Sequence, residues 1–220
     1  MAFYLLRTHI SWPESLNLHA EEEPPLINEE RGYVFTGYYF YLMSSIIFLS
    51  VVLVAKHWLK SHGMLINYLL NLTSLFTIIS VAFRALGILR WLFVMPNLAL
   101  TYVSELNDSL RQIIILQFDH MNLYAGMAGE HMGVQLFGGV FIILLSVCLL
   151  LSRKVHRIFS ISGLVLGVMT FPWSVWLNLT NDPLIFYSGV FTSVWTIGLG
   201  VYLLFQGRAR YKQLKPIPVP

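Results

Sequence analysis

The sequence predicts an all-α integral membrane protein. It has about five transmembrane helices, N-terminus out and C-terminus in, plus an outer-surface amphipathic or re-entrant helix. Three observations carry that prediction. The chain is 56% hydrophobic and only 11% charged, where soluble domains carry roughly a quarter charged residues. Several apolar runs approach the ~20 residues needed to cross a bilayer. The basic residues cluster beside those runs, as topology signals do. The formal charge of +3 is therefore read as orientation and not as nucleic-acid binding. The single Cys148 lies inside an apolar run, which leaves no disulfide framework or thiolate metal site. No cleavable signal peptide is evident. The expected organisation is an extracytoplasmic segment and acidic linker (1–31), a helical membrane domain (32–206) and a basic cytoplasmic tail (207–220).

MAFYLLRTHISW reads as a short interfacial helix or a partly ordered tail. HAEEEPPLINEER is acidic and broken by Pro24-Pro25, so it reads as an extended linker. A first span is expected over 33–55, with aromatic residues at both ends and Lys56, His57 and Lys60 behind it. The second starts near Met64 and is interrupted by Arg84. Met64 to Val94 is about 46 Å of helix, longer than the ~30 Å apolar core, so Arg84 is expected near the far surface. Residues 85–95 extend past it or bend along it before Pro96, and 97–108 reads as a loop. The apolar part of LNDSLRQIIILQF is too short to span and reads as amphipathic or re-entrant, with Asn107 or Ser109 as its cap. Three more spans follow, over 127–151, 158–176 and 184–205.

Asn67 and Asn71 in the second span form a polar stripe with Ser74. Gly163 and Gly167 form small-xxx-small spacing in the fourth, and Thr192, Thr196 and Gly200 share one face of the fifth with Ser188. Such stripes favour close helix packing in membranes, and Gly129 and Gly133 are read the same way.

Loop charges set the orientation. Lys56, Lys60, Arg153, Lys154, Arg157, Arg208, Arg210 and Lys212 fall on one side, which the positive-inside rule assigns to the cytoplasm. Arg84, Arg90, Asp119, His120, Glu130 and His131 then reach the outer surface from separate parts of the chain. Thr36, Tyr39, Trp173, Trp176, Ser188 and Thr192 lie at similar depth. Ionisable groups in a membrane cost about 2.5–3.5 kcal/mol each on insertion scales and seek partners. The expectation is a polar ligand pocket lined by Arg84, Arg90, Trp91, Asp119, His120, Glu130 and His131, with Glu130 paired to Arg84 or Arg90. A bland reading stands beside it, in which these charges only snorkel to water or hold helices together. A divalent-metal set of His120, His131 and Glu130 requires a break at Gly126–Gly129, because a straight helix holds the two imidazoles about 16 Å apart. No catalytic residue set and no other cofactor is recognisable.

FRALGILRWLFVMPNLAL and YAGMAGEHMGVQLFGGVFIILLSV resemble a family of small multi-pass bacterial membrane proteins known only as a domain of unknown function. The resemblance covers roughly residues 64 to 206, with Arg90, Trp91, Pro96, Gly129, Glu130, His131 and Gly133 at its characteristic positions. It implies the helical architecture and a role for Glu130-His131, and no particular reaction.

The functional expectation is a membrane accessory or ligand/lipid-binding protein of the bacterial inner membrane. Its partners would be lipids and other membrane subunits or further copies of itself, with no nucleic acid. The alternative is an intramembrane enzyme, with or without a metal, acting on a lipid or other apolar substrate, with Glu130 or His131 as base or metal ligand and Arg84 or Arg90 holding an anionic head group. A small transporter ranks below both, since no inverted repeat is present.

Overall fold

Long apolar runs satisfy their main-chain hydrogen bonds within one segment, which in an apolar solvent means a helix. The computed structural model describes residues 1–11, 21–60, 63–171 and 183–213, and leaves the side chains of Phe3, 183–189 and 207–213 undescribed. The described chain is helical in nine α segments and two π segments. These are α1 (Ala2–Ile10), α2 (Glu23–Glu29), α3 (Arg31–Leu59), α4 (Met64–Leu89), π1 (Arg90–Val94), α5 (Met95–Ser104), α6 (Asp108–Met127), π2 (Ala128–Phe137), α7 (Gly138–Ser152), α8 (Arg157–Thr170) and α9 (Pro183–Gln213). Three continuous helices are long and apolar enough to cross a membrane, Arg31–Leu59, Met64–Ser104 and Asp108–Ser152, and two shorter apolar ones follow at Arg157–Thr170 and Val190–Gln206. A helical membrane protein follows from that composition and length.

Three expectations change. The segment 97–108 is not a loop, since α5 continues the second helix to Ser104 and only 105–107 turn the chain. Pro96 does not stop the helix. It sits at the first turn of α5, just after π1, where a missing N–H removes little. Nor is the next segment a separate amphipathic or re-entrant helix: α6, capped by Asn107 Oδ1 at 3.0 Å from Ser109 N, runs through π2 into α7 as one helix of 45 residues. Finally, the acidic stretch is not an extended linker throughout. Glu23–Glu29 is helical, with its prolines in the permissive first turn.

Two apolar cores hold the bundle. One joins α3, α4, α7 and α9 through Phe48, Val52, Leu70, Phe141, Leu145, Leu149, Trp195 and Leu199. The other joins α1, α2, α3, π1, α5 and α6 through Leu6, Ile10, Ile27, Val34, Trp91, Met95 and Phe118. Leu6 fills the notch over Gly37, where an added Cβ would stand 2.7 Å from its Cδ2. At the opposite end, Lys154 Nζ donates to Trp58 O at 2.8 Å and Tyr202 Oη donates to Lys154 O at 2.9 Å. The ends of α3 and α7 and the middle of α9 are thereby tied together.

The small-residue stripes pack within the chain. Cβ atoms added at Gly163 would crowd Ser146 and Trp195, at Gly167 the Gly139 carbonyl (3.0 Å), and at Gly200 the Val51 side chain (3.3 Å). Thr192 meets Thr170 at 3.3 Å, and Thr196 donates to the Thr192 carbonyl. The asparagine stripe divides: Asn71 is exposed, and the buried Asn67 Oδ1 has no hydrogen-bond partner.

Candidate functional site

The second and third long helices form an antiparallel hairpin, and their backbones meet where both are poorest in side chains. A Cβ on Gly129 would lie 2.8 Å from the Gly87 Cα, and one on Gly133 would lie 2.7 Å from Arg84 N. Helices approach this closely only through small residues. The third helix widens here into ten residues of π-helix, far longer than the single-turn bulges in which π geometry usually occurs. Two side chains of the second helix anchor carbonyls of the third across this contact: Ser80 Oγ donates to Gly133 O at 2.6 Å, and Arg90 Nη1 donates to Asn122 O at 2.5 Å.

Arg84 and Arg90 are both buried, at 7% and 5% exposure. The Arg90 guanidinium lies in the space a side chain at Gly126 would fill, and over the Trp91 ring at 5.5 Å from its centre. Trp91 in turn stacks on Tyr38 at 4.9 Å. Arg84 lies over Phe48 at 5.3 Å and within electrostatic reach of Tyr41. Among the described residues it pairs with no carboxylate, and its Nε is buried without a hydrogen-bond partner. Four polar atoms are buried here without a hydrogen-bond partner: Arg90 Nε, Tyr38 Oη and Glu23 Oε1, which lie within electrostatic reach of one another, and Arg84 Nε, further back along the second helix. They come from four separate elements, α4, π1, α3 and α2. Native structures leave few such atoms, and several together mark a place for water or a ligand.

Glu130 stands on the exposed side of π2, within electrostatic reach of Arg90, Tyr38 and Tyr41. Among the described residues it forms no ion pair with either arginine; the carboxylate–imidazole contact of His9 Nδ1 with Glu30 Oε2, at 2.9 Å, lies outside this layer. Glu23 completes the set from α2. Burial raises its carboxyl from the ordinary 4.5 to about 7, against the lowering effect of Arg90, and Asp119 adds to the rise.

The other candidates fall outside the layer or serve the framework. Asp119 and His120 are exposed on α6. His131 is half-buried, its Nδ1 2.9 Å from Gln135 Oε1, one helical turn along. The expected metal set does not assemble: the chain does not break at Gly126–Gly129, and among the described residues no three His, Cys, Asp or Glu side chains converge. Thr36 bonds its own helix at Gly32 O, and Tyr39 is exposed. Trp173 and Trp176 lie outside the described residues, as does the side chain of Ser188.

Sequence reasoning missed Gly87, Tyr38 and Glu23, and singled out Gly126 only as a place for a break in the chain. Gly87 carries a signal, since it lies three residues from Arg84 on the same helix face.

A family model described as a domain of unknown function, DUF4386, matches residues 21–207. No curated protein and no solved structure matches the chain.

Proposed function

The chain belongs to the DUF4386 family, and we propose that it is a membrane protein that binds a polar or anionic ligand in the outer half of its bundle, without turning it over. The observation that carries this reading is the layer of orphaned polar atoms around Arg84 and Arg90. A buried guanidinium without an acceptor costs several kcal/mol, and an anion or polar group seated there removes that cost. The bland alternative, a pair of structural cations, fits Arg90 better than Arg84. Arg90 already grips a carbonyl, whereas Arg84 grips nothing described.

In this reading the chain crosses the bacterial inner membrane five times, with α8 and α9 as the shorter spans. The Lys154 end lies in the cytoplasm, as its basic neighbours favour, and the hairpin end lies outside.

Native mass spectrometry of protein extracted in mild detergent tests the binding role. A bound mass in the wild type, lost in Arg84→Gln and retained in the surface variant His120→Ala, is the expected result. A wild-type protein that is always bare removes the proposal.

A further inference from the structure

We infer that the ligand is a membrane amphiphile with a phosphate or carboxylate head, entering sideways between α3 and π2 and seating its head on Arg84. This rests on the pocket reading above and names its ligand class. Three observations lead to it, the first of which is charge. Both guanidiniums stay protonated under any ordinary condition. Glu130 and Glu23 lie within electrostatic reach of Arg90, whereas the group acting on Arg84 is the Tyr41 phenol. The Phe48 face at 5.3 Å supplies only a partial counterweight. Arg84 is therefore the cation of this layer that lacks an anion, and a guanidinium's forked donors match the paired oxygens of a phosphate or carboxylate.

The second observation is access. α4 packs heavily against α3 on one side and π2 on the other, while α3 and π2 do not form a packed pair of their own. Tyr38 and Tyr41 of α3 and the exposed Glu130 of π2 stand over α4 between the two helices, so a ligand reaches the buried Arg84 by parting these side chains.

Depth is the third. Arg84 stands 20 residues beyond Met64 along a continuous helix, about 30 Å, which is the thickness of the hydrocarbon core. Its Cα thus lies at the level of the lipid heads, and its guanidinium reaches back toward Phe48 on the cytoplasmic side. A lipid already in the leaflet meets it by drawing its acidic head inward, with its chains still in the bilayer.

The test uses the full chain in a neutral maltoside detergent, titrated separately with dioctanoyl phosphatidic acid, dioctanoylglycerol and inorganic phosphate. Binding is read by tryptophan fluorescence and by the thermal midpoint, with Trp91→Phe identifying the Trp91 contribution. Phosphatidic acid should raise the midpoint saturably by several degrees and change the Trp91 signal. Dioctanoylglycerol and phosphate should do neither. Arg84→Gln should weaken phosphatidic acid binding at least tenfold, and Arg84→Lys, which keeps the charge and loses the fork, should fall between. Equal effects from phosphate would overturn the amphiphile, and equal effects from dioctanoylglycerol would overturn the acidic head. Unchanged affinity in both Arg84 variants would overturn the assignment to Arg84. A neutral amphiphile found by mass spectrometry sinks this inference alone, whereas a bare wild-type protein sinks the pocket as well.

Discussion

The Arg90 guanidinium occupies the place that a side chain at residue 126 would take, and Gly126 is what lets it reach the Asn122 carbonyl. One residue on the third long helix thus admits a cation from the second. The same economy of side chains repeats one turn further on, where Gly87 and Gly129 bring the two backbones together.

Gly126→Ala should push Arg90 off the Asn122 carbonyl. A hydrogen bond from a charged donor contributes about 1.5–3 kcal/mol, so a loss in the lower part of that range is expected, because the long arginine side chain can shift. Thermal unfolding in detergent measures it. An unchanged midpoint would show that the contact carries no stability.

Gly129→Ala should cost more, about 2–3 kcal/mol, because its new Cβ meets the Gly87 backbone and not a flexible side-chain end. Gly32→Ala, with open space around it, serves as the control and should be within about 0.5 kcal/mol of wild type. The double variant Gly87→Ala/Gly129→Ala should be non-additive, since both singles force the same two backbones apart. Strict additivity would contradict the crossing.

The N-terminal α2 should hold less firmly as pH rises. The Glu23 carboxyl titrates near 7 when docked and near 4.5 when exposed. The docked form therefore keeps its proton where the undocked form loses it. Docking is at full strength below about pH 4.5, weakens between there and 7, and is level above. At about 1.4 kcal/mol per pH unit the loss reaches roughly 3 kcal/mol. Limited proteolysis in the 21–30 segment should accelerate across that window in the wild type and stay flat in Glu23→Gln once the protease's own pH profile is divided out. A parallel response in both chains would remove Glu23 as the cause.

Topology is open to a labelling test. Cys148 is buried, so a cysteine introduced at the hairpin turn, Leu106→Cys, should react with a membrane-impermeant maleimide on intact cells. Lys60→Cys should react only after the membrane is opened. The reverse pattern would invert the proposed orientation.

How much of this is legible in the sequence depends on what each feature does to composition. Arg84 and Arg90 declare themselves, because a cation inside an apolar run must have a destination. The long helices are equally legible from their apolar length. The hairpin turn is not: Pro96 and the polar Ser104, Glu105, Asn107, Asp108 and Ser109 imitate a long loop, while the chain needs only 105–107 to reverse. The π segments leave no trace, since shifting a hydrogen-bond ladder by one residue changes no residue type. Glu23 is hidden for a different reason. A seven-residue helix opening on two prolines is too short to show a period and is held by what Ile27 buries, which only the folded chain reveals. The histidine pairs mislead, because adjacency of acid and imidazole in sequence says nothing of convergence; on a continuous helix His120 stays outside and His131 turns to Gln135.

The uninterrupted lengths of Met64–Ser104 and Asp108–Ser152, 41 and 45 residues, have a geometric consequence. Each rod measures about 60 Å or more, roughly twice the apolar thickness of a bilayer, so a large part of each lies outside any hydrocarbon core it crosses, and the crossing at Gly87 and Gly129 falls along the shared length of the two rods.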